Sequence, residues 1–383
     1  MSKRILFSAS IFHGLNDAAT VTVPMIFPLL YSQQSIITKY THIGILSNLG
    51  LMVTLVCQLI IAHYAHKYEY RHMLLLSLAG ISLSLVLITF SWSFGTLLLF
   101  YLVMRIFASF YHSVGVATVS ISHPDKALDF AMGVQSGSGN IGLFLAFIAT
   151  GFIAQSFSWQ TPLLALAVIL FVLGTISFLT VKKTSTMNAD IQPPEARSWK
   201  QAINETSEYF PGFFFGGACW GTTIFYAPSL FHHKFHVSLG KTGLYLALWI
   251  AIGTLMPYLL GYLSQKIGRR NIILFGFFGS TLFLGILGLS PSKELAAISL
   301  VLFGAFLFMI YPALQSVVGN RVSTGIQTQA FSIVANVQMF AGAVVSLIAG
   351  FLSDALGINS PFLFVAIIGI FTTAYFIKRR KSI

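Results

Sequence analysis

The sequence predicts an all-α membrane protein with twelve transmembrane helices arranged as two pseudo-symmetric six-helix bundles. Three observations support this fold class: an apolar composition, long apolar stretches that recur from end to end, and an internal repeat. Of the 383 residues, 56% are hydrophobic and 8% are charged, and the mean hydropathy is +0.82. A soluble protein of this length carries about 25% charged residues. So little polar surface excludes a water-soluble globule and indicates that lipid surrounds most of the chain.

Twelve apolar segments are long enough to cross a hydrocarbon core of roughly 30 Å. They cover residues 5–31, 42–65, 73–92, 96–121, 127–155, 159–181, 209–231, 240–264, 271–290, 294–316, 327–353 and 360–377.

Lysine and arginine are distributed unevenly between the two sides of these predicted spans. With the N-terminus in the cytoplasm, 17 of the 22 basic residues fall in inner segments, and Arg105 lies within a span. The outer loops hold the other four, Lys39, Lys234, Lys241 and Lys293. The positive-inside rule therefore predicts a protein of the cytoplasmic (inner) membrane with both termini in the cytoplasm.

The two halves of the chain read as copies of each other. Pro28 and Pro228 are 200 residues apart, as are Tyr111 and Tyr311. A polar stretch with Pro193-Pro194 separates the copies and is typical of a tether. We therefore predict an N-terminal six-helix half (1–181), a cytoplasmic linker (182–208) and a C-terminal six-helix half (209–383).

The most specific repeat lies in the loops that follow spans 2 and 8. The segment 62–71 returns as Gly261-Tyr-Leu-Ser-Gln-Lys-Ile-Gly-Arg-Arg270, which resembles the signature loop G-x-x-x-D-R-x-G-R-R of the major facilitator superfamily. The aspartate of that loop is absent from both copies. The resemblance implies the major facilitator fold, with parallel halves that rock about a central cavity. It assigns the gating-loop residues as His66, Lys67, Arg71, Gly261, Gln265, Lys266, Gly268, Arg269 and Arg270.

Span 1 resembles a narrower group of the superfamily, the bacterial fosmidomycin-resistance facilitators. His13-Gly-Leu-Asn16-Asp17 followed by Pro28-Leu-Leu30 is similar to the H-x-L-N-D and P-L-L pattern of that group. Tyr111-His112 and Gly139-Asn140-Ile-Gly142 are similar to its F/Y-H-P and G-N-x-G elements, although Ser113 replaces the proline.

Ionisable side chains within spans 1 and 4 are the candidate proton-coupling residues, because such groups in hydrocarbon are costly unless they pair or face water. His13 and Asp17 are four residues apart on one face of a helix, and Arg105 and His112 are seven apart on another. At about 1.5 Å per residue, Asp17 lies between the depths of Arg105 and His112. We expect Arg105 to pair with Asp17 until protonation releases the pair; the alternative is a fixed structural pair.

Amides and aromatics near mid-span are the candidate substrate-binding residues. Such a set suits a modest-sized amphipathic solute, and the alternative is that these side chains only pack the helices. The set comprises Asn16, Gln135, Asn140, Trp220, Tyr226, Trp249, Gln315, Asn336 and Gln338.

The sequence predicts no cofactor, no metal ion and no nucleic acid as partner. His232, His233 and His236 share an outer loop without a carboxylate or cysteine beside them, so a metal site is not expected there. The chain has no Gly-Lys-Ser phosphate loop, which argues against ATP as the driving force.

These patterns predict a transporter and not an enzyme. The expected function is proton-coupled efflux of a small organic solute by a monomer in the lipid bilayer, working by alternating access as an antiporter. The alternatives are an uncoupled facilitator, an importer of a small metabolite and, more remotely, a membrane sensor.

Overall fold

The computed structural model describes residues 2–64, 67–122, 126–180, 196–323 and 326–379. Within these ranges the regular secondary structure is helical. The thirteen α-helices are α1 (Ser2–Ser32), α2 (Tyr40–Tyr64), α3 (Tyr70–Thr89), α4 (Phe94–Ser122), α5 (Lys126–Ser156), α6 (Gln160–Thr180), α7 (Ala196–Thr206), α8 (Phe210–Ser229), α9 (Leu239–Ile267), α10 (Arg269–Leu289), α11 (Lys293–Arg321), α12 (Gln327–Leu356) and α13 (Ser360–Lys378).

Among the described residues, ten helices are long and apolar enough to cross a membrane. The chain is therefore a multi-pass membrane protein. The two other long helices, α1 and α8, lie where spans 1 and 7 were predicted. Polar residues in α1 and the glycines, prolines and threonines of α8 lower their hydropathy. The full count of twelve spans in two bundles stays a prediction.

The helix ends follow local chemistry. Ser292 begins α11 by accepting a hydrogen bond from the Leu295 backbone N–H at 3.3 Å, a side-chain cap that satisfies one of the unpaired amides of the first turn. Gly268 separates α9 from α10 with φ of +81°, a left-handed conformation that favours glycine. A π-helical turn, Leu230–Lys234, follows Pro228 at the end of α8.

Part of the predicted linker is helical. Residues 182–195 lie outside the described residues, but α7 occupies Ala196–Thr206 and packs on α12. The Glu205 carboxylate accepts hydrogen bonds from the backbone N–H and the hydroxyl of Ser323 at 3.0 and 3.2 Å. The sequence did not predict this helix, since its eleven residues are too polar to read as a span.

The chain divides into two compact units. The first contains residues 1–42, 49–191 and 238–247, and the second contains 43–48, 192–237 and 248–383. In the first unit α1 packs chiefly on α5, and α3 packs on α4 and α6.

In the second unit α8 packs on α12, and α10 packs on α11 and α13.

In the first unit α1 and α5 cross so closely that a Cβ atom on Gly142 would overlap the Gly14 carbonyl oxygen. This crossing positions the candidate site.

Candidate functional site

Three ionisable side chains meet inside the first unit. The His13 Nε2 atom lies 3.2 Å from Asp17 Oδ2, one turn further along α1. His112 comes from α4, and its Nε2 atom lies 3.7 Å from Asp17 Oδ1. His13 and Asp17 keep only 10% and 17% of their side-chain surface exposed, whereas His112 keeps 43%. Two imidazoles thus flank one partly buried carboxylate.

The His13 ring is held in one orientation by α4 and α5. Its Nδ1 atom lies 2.8 Å from the Gln135 carbonyl oxygen, and its ring stacks on that of Tyr111 with centroids 4.6 Å apart. Tyr111 donates to the Ala9 carbonyl at 2.9 Å and accepts from Gln135 Nε2 at 2.8 Å. Gln135 therefore orients His13 twice, once through its backbone and once through Tyr111.

Asp17 is approached closely by its own helix neighbour and by α5. Asn16 Nδ2 donates to Asp17 Oδ1 at 3.3 Å. A Cβ atom on Gly139 would lie 2.7 Å from both Asp17 Oδ2 and His13 Cε1. Glycine at this position in α5 therefore leaves the space that the His13–Asp17 pair occupies, while the neighbouring Asn140 is half-buried.

Arg105 does not pair with Asp17, contrary to the expectation from depth. Among the described residues its Nε donates to the Thr54 hydroxyl at 2.9 Å and to the Gly50 carbonyl at 3.3 Å, both in α2. Arg105 is 6% exposed. Helical spacing places Arg105 and His112 on one side of α4, but only packing determines that this arginine turns towards α2.

The one group of side chains in the described part of the chain that could hold a metal ion is His13, Asp17 and His112, whose ligand atoms lie within 4.8 Å of one another. The outer histidines have other surroundings: His232 Nδ1 lies 3.1 Å from the Val237 carbonyl oxygen. Sequence reasoning considered a metal only in that outer loop, because it paired Asp17 with Arg105 of α4 and did not bring Asp17, His13 and His112 together as ligands.

The predicted substrate-binding aromatics of the second unit form a cluster. The rings of Trp220 and Trp249 lie 5.2 Å apart, and Phe308 lies 5.8 and 5.4 Å from them. Trp249 is fully buried, and its Nε1–H has no hydrogen-bond partner among the described residues. Trp220 and Phe308 are partly exposed.

The other predicted polar residues of the second unit lie apart from this cluster. Tyr226 is fully buried and donates to the Ser346 carbonyl at 2.6 Å. Gln315 lines a cavity of about 550 Å³ between α11 and α12. Asn336 and Gln338 are half-buried in α12.

The two signature loops differ in their described residues. In the first, Arg71 pairs with Glu69 at 3.1 Å and Lys67 lies over the Tyr64 ring; His66 lies outside the described residues. In the second, Lys266 and Arg269 are exposed and Arg270 is partly buried. The Gly261 and Gln265 positions are helical, but their surroundings lie outside what the structure describes.

Comparison with known proteins identifies relatives along the whole chain. The sequence profile of the Major Facilitator Superfamily matches residues 6–346 and, separately, 210–382. The uncharacterized MFS-type transporter YfnC of Bacillus subtilis (strain 168) is 23% identical over 94% of this chain and 89% of its own length. The nitrite extrusion protein of the same organism is 27% identical over 47% of this chain and 45% of its own length.

Solved structures show the same fold. A bacterial homologue of the human lysosomal transporter Spinster, in an inward-facing and occupied conformation, has a TM-score of 0.84 with 15% identity, covering 99% of this chain and 96% of its own. The nucleoside transporter NupG has a TM-score of 0.79 with 12% identity, covering 98% of this chain and 98% of its own. At such identities the similarity extends to the fold alone.

Proposed function

The chain belongs to the Major Facilitator Superfamily and is a membrane transporter, not an enzyme; from that premise we propose that it exports a small organic solute in exchange for protons. The proposal includes alternating access, a location in the inner membrane with cytoplasmic termini, and function as a monomer. The observation that best supports coupling of transport to protons is the His13–Asp17–His112 cluster inside the first unit. The narrower similarity to fosmidomycin-resistance facilitators stays a prediction.

The contacts of His13 make its pair with Asp17 dependent on one proton. A carbonyl oxygen only accepts, so the 2.8 Å contact with Gln135 requires that His13 Nδ1 carries a hydrogen. In the neutral ring the Nε2 atom then carries a lone pair, and this lone pair faces Asp17 Oδ2 at 3.2 Å. One proton between these two atoms converts a repulsive contact into a charge-assisted hydrogen bond.

His112 is the residue through which protons reach this cluster in our proposal. It is the most exposed of the three residues, and its Nε2 atom lies 3.7 Å from the second oxygen of Asp17. A proton that arrives on His112 can pass to Asp17 and then to His13. Binding of that proton stabilises the contacts that join α1, α4 and α5, and its release weakens them. The helices of this region therefore have two packing arrangements, one for each protonation state.

The solute side of the proposal rests on the aromatic residues of the second unit. Trp220 and Phe308 offer ring faces at partly exposed positions, and Asn336 and Gln338 are half-buried amides of α12. A ligand with an apolar ring and a polar group matches this set. This chemistry supports a small amphipathic organic solute.

A second candidate function is transport of a small anion. Arg105 is a buried cation whose described hydrogen bonds are to a neutral carbonyl and a neutral hydroxyl. A buried charge is stabilised by an opposite charge, and an anionic solute would supply one. Similarity over about half the chain to a protein named for nitrite extrusion is consistent with this candidate.

Flux measurements test both proposals. A thermal-shift screen of organic amphiphiles and inorganic anions on the purified protein selects a ligand, which is then loaded into proteoliposomes. We expect transport of this ligand to accelerate when a pH gradient is imposed and to be accompanied by alkalinisation or acidification of a trapped pH dye. Transport at the same rate without a gradient would contradict coupling and favour an uncoupled facilitator. A response restricted to inorganic anions favours the second candidate.

A further inference from the structure

One cavity of the second unit is lined by basic and amide side chains, with no acidic residue among the described side chains that line it. It measures about 460 Å³ and lies where α10 begins and α11 ends. The residues that matter here are Gly268, Arg269, Arg270, Asn271, Asn320 and Arg321. Three guanidinium groups and two amides therefore surround one space.

The backbone adds further donors to this cavity. Gly268 is the N-cap residue of α10, and no side chain caps this helix end. The first intrahelical bond is made by the Ile272 N–H to the Gly268 carbonyl at 3.3 Å. The amides of Arg269, Arg270 and Asn271 precede that bond and lie at the positive end of the helix dipole. Such an end attracts anions.

Arg270 has a donor that nothing in the described protein satisfies. Its Nε atom is buried and has no hydrogen-bond partner among the described residues. A buried donor without an acceptor costs free energy. A ligand oxygen in the cavity would remove that cost.

The internal repeat explains why this arginine differs from its counterpart. Arg71 of the first signature loop corresponds to Arg270, and Arg71 Nε pairs with Glu69 Oε2 at 3.1 Å. Gly268 occupies the position that corresponds to Glu69. The second loop therefore lacks the carboxylate that neutralises the arginine in the first loop.

The remaining arginine of this cavity shares its carboxylate with another cation. Arg321 Nη1 lies 3.7 Å from one oxygen of Glu208, and Arg379 Nη1 lies 3.7 Å from the other. The single carboxylate of Glu208 thus lies beside two guanidinium groups. The described side chains in and beside the cavity therefore carry more positive than negative charge.

We propose that this cavity binds a phosphate group through Arg269, Arg270, Arg321 and the first amides of α10. Guanidinium groups and helix amides together match the tetrahedral oxygens of phosphate. The positive-inside prediction places this loop at the cytoplasmic surface, where the phosphate belongs either to the headgroup of an anionic phospholipid or to a free phosphate compound. This site does not depend on the coupling cluster, and its test requires no transport.

Binding to the purified full-length protein tests the proposal. Delipidated protein in a neutral detergent is titrated with inorganic phosphate, and separately with micelles that contain phosphatidylglycerol or phosphatidylcholine, at constant ionic strength set with chloride. Thermal unfolding and native mass spectrometry report binding. We expect phosphate or phosphatidylglycerol to bind at least about tenfold more tightly than phosphatidylcholine. Binding of inorganic phosphate identifies a free phosphate compound, and binding of phosphatidylglycerol alone identifies a lipid headgroup.

Variants distinguish phosphate binding in this cavity from non-specific attraction of anions to the basic loops. Arg270→Gln should weaken binding at least about tenfold, and Arg269→Gln, at an exposed position that folding tolerates, should weaken it several-fold. The matched control is Arg71→Gln, which removes the corresponding arginine of the first loop and should leave binding unchanged. Equal binding by the wild type and both cavity variants, or no binding of either probe to the wild type, overturns the proposal.

Discussion

His13 and Asp17 face each other across one turn of α1, with Nε2 and Oδ2 3.2 Å apart, while the opposite nitrogen of the same imidazole contacts the Gln135 carbonyl oxygen. The carbonyl determines which nitrogen of neutral His13 carries hydrogen. The pair is therefore complete only with one added proton. A carboxylate and an imidazole at this spacing can act as a proton-binding unit instead of as two independent groups.

Replacing Asp17 by asparagine should abolish the gradient-dependent component of transport. Asparagine keeps the size of the side chain but neither binds a proton nor carries charge, so His13 and His112 lose their common partner. The measurement is flux of the screened ligand into proteoliposomes with and without a pH gradient. Glu294→Gln is the control, because this exposed carboxylate of α11 pairs only loosely with Lys293 at 3.9 Å. Unchanged gradient dependence in Asp17→Asn would restrict Asp17 to a structural role.

Replacing Gly142 by alanine should destabilise the first unit. The added methyl group would overlap the Gly14 carbonyl oxygen, a backbone atom that cannot rotate away. Overpacking of this kind costs about 1–3 kcal/mol, which should lower the midpoint of thermal unfolding.

The matched control for this change is Gly137→Ala in the same helix, where an added Cβ meets nothing within 4 Å. Alanine favours a helix over glycine by about 0.8–1.0 kcal/mol, so this midpoint should stay the same or rise. An unchanged or higher midpoint in Gly142→Ala would show that the α1–α5 crossing is looser than described.

Replacing Thr54 by valine should weaken the anchoring of Arg105. The hydroxyl accepts the Arg105 Nε–H at 2.9 Å and is buried, and loss of such a hydrogen bond costs about 1 kcal/mol. Unfolding of the purified variant measures this cost.

Arg105→Gln distinguishes the two candidate functions. It removes the buried cation, so it should abolish binding of an inorganic anion if the anion candidate holds. Binding of an uncharged amphipathic ligand should be retained in this variant. If anion binding is retained without Arg105, the anion candidate loses its physical basis.

Glu205 should stabilise the second unit only above acidic pH. The Ser323 backbone N–H and the Gln201 amide donate to this carboxylate and lower its pKa from the ordinary value of 4.5. A lowered folded-state pKa stabilises the protein above the unfolded pKa, and this stabilisation is lost as the pH falls through the folded value.

We therefore expect Glu205→Gln to lower the unfolding midpoint at pH 7, and we expect this effect to decrease as the pH falls below 4.5 and through the lowered folded-state pKa. Lys200→Gln, at an exposed position of the same helix α7, is the control and should have little effect at either pH. An effect of Glu205→Gln that persists at acidic pH would contradict a role of the charged carboxylate.

Residue patterns alone determined that this chain crosses a membrane many times and that α1 carries ionisable side chains, and they predict two related halves. These features are local: an apolar run has to match the bilayer thickness, and residues four apart share a helix face. The His13–Asp17 contact follows from the same rule. The superfamily was recognisable because its signature loop is one continuous stretch of sequence.

Only the tertiary structure decided which partners these side chains meet. Arg105 lies on the side of α4 that packs against α2. Its hydrogen-bond partners are therefore Gly50 and Thr54, and not Asp17 as predicted. His112, and not Arg105, is the α4 residue that meets Asp17, and residue spacing does not reveal which of the two does so. Likewise, Gln135 acts partly through its backbone carbonyl, an atom that every residue type possesses. Contacts between helices depend on how whole faces pack, and no short segment of sequence contains that information.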